Sequence, residues 1–157
     1  MTFGIRHSRC WYAAAVVAIW ALAVPFERTA ARDATVEELK ERAANASIAE
    51  RPALCIRISE RQLDEADRLY AAGDSGKGQT ALVDVTAFAE LARDYAIQSH
   101  KHEKQSEIAV RKMARKLANL KHTVAHEDQE QIQNAIDRLE RIRDDLLAAM
   151  FPNGVKK

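Results

Sequence analysis

The chain has 157 residues, 47% hydrophobic, 30% charged and 6% aromatic, with five Gly, three Pro and two Cys. Those figures exclude a collagen-like or low-complexity chain and a disulfide-stapled mini-protein, and a formal net charge of +1 argues against bulk electrostatic binding to nucleic acid. So few Gly and Pro among so much Ala, Leu, Glu, Lys and Arg point to helices rather than to a sandwich or a nucleotide-binding α/β fold.

Residues 1–31 read as a signal peptide. Arg6 and Arg9 give a positive start, an apolar run follows from Cys10 to Val24, and Pro25 ends it. Ala21-Leu22-Ala23 fits the small-residue exit but lies inside the run. Thr29-Ala30-Ala31 follows a polar stretch, so cleavage is expected after Ala31. The alternative is an inner-membrane anchor over residues 10–26, at the short end of the roughly 17–25 residues that span a bilayer. Either way the remainder is exported, periplasmic or extracellular. Cleavage removes Trp11, Trp20 and Cys10, and it leaves Cys55 as a lone thiol, which is expected to be a small buried apolar residue.

Thr35-Val36-Glu37-Glu38 and Ser47-Ile48-Ala49-Glu50 each fit a capping box, in which hydroxyl and carboxylate satisfy each other's free amides. The first opens a helix over about 35–46. The second opens one over about 51–72, with Pro52 in the first turn and a stripe of Leu54, Cys55, Ile58, Gln62, Ala66, Leu69 and Tyr70. The segment Gly73-Asp74-Ser75-Gly76-Lys77-Gly78 is expected to be a helix–helix connection. Its echoes of a protease nucleophile segment and of a phosphate loop both lack the strands those motifs require.

No Pro or Gly interrupts the chain from Gln79 to His122, which predicts one helix over about 78–122, some 65 Å long. It carries an early stripe through Leu82, Val85 and Ala89 and a later one through Met113, Leu117 and Leu120. Gln98 to Glu107 between them holds no apolar residue. A last helix over about 127–150 bears Ile132, Ile136, Leu139, Ile142 and Leu146 in near-heptad, coiled-coil-like steps. The expected fold is therefore all-α: antiparallel helical hairpins sharing one long central helix. A compact bundle with that helix broken near Ser99–His100 is the second arrangement. Lys101–Lys121 carries seven Lys/Arg against two Glu, and Glu127–Asp145 seven acids against three Arg, which favours antiparallel pairing of these two segments.

Ala66, Leu69, Tyr70, Gly73 and Asp74, followed by Gly78, Leu82 and Val85, resemble the centre of one tetratricopeptide hairpin over about thirty residues. Glu90 stands where the closing proline of that family falls, and no second copy follows, so a peptide-binding superhelix is not implied. With the signal segment and Glu107-Ile108-Ala109-Val110-Arg111-Lys112, the chain is similar to exported bacterial helical proteins of unknown function. That likeness implies no activity, cofactor or catalytic residue.

Two surfaces are candidates. His122 and His126, at i and i+4, would share a face of a continuous helix and could hold Zn²⁺ or Cu²⁺, although a turn is expected near Val124–Asp128. Lys101, Lys104, Arg111, Lys112, Arg115 and Lys116 could contact a partner, an anionic headgroup or an envelope polymer; without aromatic residues to stack on bases they do not suit nucleic acid. Tyr70, Phe88 and Tyr95 fall on the apolar stripes. No convergent catalytic set emerges. The expected function is a non-enzymatic exported scaffold or adaptor binding a protein partner or itself, and the alternative is an envelope metal-binding protein.

Overall fold

The computed structural model describes residues 34–152. The segment read as a signal peptide or anchor lies outside them. Among the described residues every regular element is an α-helix: α1 (Val36–Asn45), α2 (Arg51–Ala71), α3 (Ser75–Ser99), α4 (Glu103–Lys121) and α5 (His126–Met150). None of them is long and apolar enough to cross a membrane.

Local chemistry sets most of the helix ends. Thr35 Oγ1 accepts from the Glu38 amide at 3.2 Å while Glu38 Oε2 accepts from the Thr35 amide at 2.9 Å, completing the expected capping box. The second box forms only in part. Glu50 Oε2 accepts from both the Ser47 amide and the Ser47 hydroxyl, so the hydroxyl is spent as a donor, and α2 starts one turn later at Arg51. Gly73, at φ 78°, ends α2 in the left-handed conformation that glycine adopts without strain. Asp74 then caps α3 by accepting from the Lys77 amide. The expected connection over 73–78 thus shrinks, and Gly76 and Gly78 lie inside α3.

The single helix expected over 78–122 is two helices. The chain turns at His100-Lys101-His102, and His100 and His102 both take left-handed backbone conformations, at φ 53° and 62°. Each costs about 1–2 kcal/mol for a residue with a Cβ. Folding back lets α4 lay Val110 and Met113, 0% and 2% exposed, against the first hairpin. Burial of each such side chain contributes about 1.5–3 kcal/mol, so packing outweighs the turn.

The result is two antiparallel hairpins, α2–α3 and α4–α5, stacked side by side. Ser59 with Met113, Asp64 with Lys116, Ser75 with Asp128, Glu90 with Arg138 and Arg93 with Asp145 join residues 48 to 54 apart. Because the numbers rise together on both partners, α2 runs parallel to α4 and α3 parallel to α5. Around the core the order is α2, α3, α5, α4, with α2 and α5 on opposite corners. One continuous core runs from Cys55 to Leu146, and the many alanines of α3 (Ala81, Ala89, Ala92 and Ala96) let neighbouring backbones come close.

Helix α1 packs on the outside of the first hairpin through Leu39, which is fully buried. Lys40 sits 5.4 Å over the Phe88 ring, and Arg51 sits 5.2 Å over Tyr95. These two half-buried aromatics are thus each covered by a cation, one from α1 and one from the start of α2.

Candidate functional site

Helices α1, α2, α4 and α5 each bury one face and leave the opposite face polar. Helix α3 does not. Its inner face is consumed by the core, yet Val83, Ala87 and Leu91 form a second apolar row at i, i+4 and i+8 on the side turned to solvent. Val83 is 60% exposed and Leu91 40%. Beside this row lies a groove of about 460 Å³ between α3 and α5, with Gln79, Val83 and Thr86 on one wall and Glu130, Asn134 and Arg138 on the other.

The groove is held by fixed pairs. Arg138 donates to Glu90 Oε1 at 2.7 Å, and one turn further Arg93 donates to Asp145 at 2.9 Å. A smaller depression of about 270 Å³ lies over these ion pairs. The hydroxyl of Thr86 turns back to the carbonyls of Leu82 and Val83, so it is not presented to a ligand as a nucleophile. What the walls offer is amide, carboxylate and guanidinium groups beside an aliphatic row.

At the end of the groove the two hairpins are pinned by a buried carboxylate. Asp128, 4% exposed in the first turn of α5, accepts from Ser75 Oγ at 2.8 Å and from Gln79 Nε2 at 3.3 Å. The neighbouring Tyr70 hydroxyl is buried with no hydrogen-bond partner among the described residues. Burial, with the charge of Asp128 adding to it, pushes the Tyr70 phenol up to about 12. Cys55 is likewise buried, and desolvation, partly offset by Arg51, pushes its thiol up to about 11.

The structure separates the two histidines singled out from sequence. His122 follows the last turn of α4, Ala125 is extended, and His126 opens α5, so no continuous helix gives them a common face. Both are exposed, and among the described residues no group of three or more His, Cys, Asp or Glu is placed to hold a metal ion.

The basic stretch divides into tied and free members. Lys116 donates to Asp64 at 2.6 Å and lies 3.6 Å from Asp67, both on α2; the hydrogen bond to Asp64 raises its ammonium above the usual lysine range. Arg111 lies 3.4 Å from Glu107, which is buried and also accepts from Arg143 of α5 at 3.2 Å. Lys101, Lys104, Lys112 and Arg115 are exposed. The expected attraction between a basic α4 and an acidic α5 is not how the charges are used. The α4–α5 ion pair joins an acid of α4 to an arginine of α5, and the basic side chain of Lys116 pairs with α2 instead.

Sequence reading missed the outward row of α3. Its signal was present: Val83 and Leu91 fall off the Ala81–Ala96 stripe while Gly76, Thr80 and Ala87 leave that same side uncharged. No family model, curated protein or solved structure matches this chain.

Proposed function

We propose that this chain is a non-enzymatic exported helical scaffold or adaptor that binds a protein partner through the outward face of α3 and the adjoining α3–α5 groove. The carrying observation is the row Val83–Ala87–Leu91, with Val83 and Leu91 exposed and Ala87 half-buried between them. Exposed aliphatic side chains aligned on one helix, rimmed by polar groups, mark interaction surfaces. The partner that fits is an amphipathic helix. Its apolar ridge would lie along the row, with basic and acidic groups meeting Glu130 and Arg138 at the rim.

Export rests on the N-terminal pattern of Arg6, Arg9 and the run to Val24. The non-enzymatic reading is supported by the use made of the reactive groups: the Cys55 thiol is buried with a raised pKa, and the groove carries neither thiol nor imidazole.

A photocrosslinking amino acid at position 87, compared with one at Asn119 on the exposed side of α4, tests the reading in producing cells. The expected result is a discrete protein adduct from position 87 alone. Adducts from Asn119 with none from position 87 would refute it.

A further inference from the structure

We propose that the α4–α5 hairpin exchanges between two copies of this chain. In the exchanged form the His100-Lys101-His102 connection straightens, α3 and α4 run on as one helix, and each copy's α4–α5 docks on the other's α2–α3. The inference stands apart from the partner-binding reading above and uses a different surface, the inner faces of the two hairpins.

The connection itself is the first observation. It is three residues long, two of them non-glycine residues at φ 53° and 62°, in a sequence with no Pro or Gly from Gln79 to His122. The His100 and Lys101 amides both return to the Ala96 carbonyl and end α3 locally, but no Gly or Pro fixes the turn, so tertiary packing decides between it and a straight helix. Short strained hinges of this kind are the sites at which elements exchange between copies.

The first turn of α4 adds a second. Glu103 Oε1 and Ser106 Oγ are buried there with no hydrogen-bond partner among the described residues. His100 Nδ1 stands 3.5 Å from that carboxylate oxygen, at ion-pair rather than hydrogen-bond distance. In a straight helix, residues 98–107 would lie at the open midpoint, where water can reach these groups, and His100 and His102 would regain right-handed backbone.

The third is what exchange preserves. The Ser59–Met113, Asp64–Lys116, Glu90–Arg138 and Arg93–Asp145 contacts all cross from one hairpin to the other. Each reforms between copies in a closed two-fold dimer, so the core is kept whole while the strained turn is released. Mass action then favours the dimer at high concentration.

The test uses the purified protein. Isotope-labelled and unlabelled chains are unfolded together, refolded at high concentration and separated by size with light scattering. A zero-length amine–carboxylate coupling reagent then joins Asp64 to Lys116, and the linked peptides are read by mass spectrometry. The expected dimer fraction contains Asp64–Lys116 peptides of mixed isotope. The His100→Gly/His102→Gly variant, in which the turn is unstrained, is expected to shift the balance about fivefold or more toward monomer. The variant His100→Ala/Lys101→Ala/His102→Ala shifts it toward dimer. Circular dichroism confirms that each variant keeps its helix content. A wild type that stays monomeric after refolding at high concentration, or dimers whose Asp64–Lys116 links are all within one chain, would overturn the proposal.

Discussion

Tyr70 lies so closely over Gly78 that a methyl group on that glycine would stand 2.9 Å from Cε2 of the ring. The ring is buried and cannot swing away, so α3 approaches α2 here only because position 78 has no side chain. Gly78→Ala is therefore expected to destabilise the protein by about 1–3 kcal/mol through overpacking, against the ~1 kcal/mol that alanine would gain in an unpacked helix. Tyr70→Phe should do the opposite. It removes a buried hydroxyl without a partner and is expected to be neutral or to raise stability by up to about 1 kcal/mol. Urea denaturation of both variants checks the pair of signs.

Burial of Cys55 and Tyr70 makes stability fall in alkali. Both groups hold their protons more tightly when folded, at about 11 and about 12 against ordinary values of 9.0 and 10.0. The unfolded chain therefore deprotonates first, so stability is whole below pH 9 and declines as pH rises toward 11 and 12. Cys55→Ala should remove the part of the fall between pH 9 and 11. At pH 8 the native thiol is expected to react with a disulfide reagent at least about tenfold more slowly than the urea-unfolded chain. A native rate equal to the unfolded one would contradict the burial.

Helix α1 is attached through one fully buried side chain, Leu39. Leu39→Ala is expected to cost about 2–5 kcal/mol of the local attachment. The bundle of α2–α5 does not depend on that contact for its core. The checkable outcome is rapid proteolytic cutting between Lys40 and Arg51 with the remaining helices protected.

Removal of the segment ending at Ala31 leaves a chain without tryptophan, because Trp11 and Trp20 both precede that point. The protein recovered outside the cytoplasm should show tyrosine emission only. Tryptophan emission from it would favour a retained anchor over residues 10–26.

Much of the fold was legible because apolar spacing reports burial directly. Ile132, Ile136, Leu139, Ile142 and Leu146 of α5 and Met113, Leu117 and Leu120 of α4 are all buried as their spacing implies. The break at His100–His102 was legible only as the second arrangement, through the polar stretch Gln98–Glu107. No residue there ends a helix, and the turn exists because distant surfaces, Ser59 against Met113 and Glu90 against Arg138, gain more by stacking than a straight helix keeps. Ser59 shows the same limit: its polar side chain is fully buried because its hydroxyl donates to the Val85 carbonyl at 2.6 Å, a partner 26 residues away. For the binding surface, the i, i+4 spacing of the histidine pair carries meaning only on an unbroken helix, and the turn expected near Val124–Asp128 falls between them. The row Val83–Leu91 escaped notice because a helix was assumed to spend its apolar residues on one side.

The most direct measurement compares partner capture by two variants with that of the wild type. Val83→Asp/Leu91→Asp alters only exposed side chains and should change stability by no more than about 0.5 kcal/mol. Lys112→Glu/Arg115→Glu reverses exposed charges on α4. The expected result is that the partner crosslinked at position 87 is lost from the first variant and kept by the second. A partner kept by the first and lost from the second would place binding on the basic face of α4 and contradict the assignment to α3.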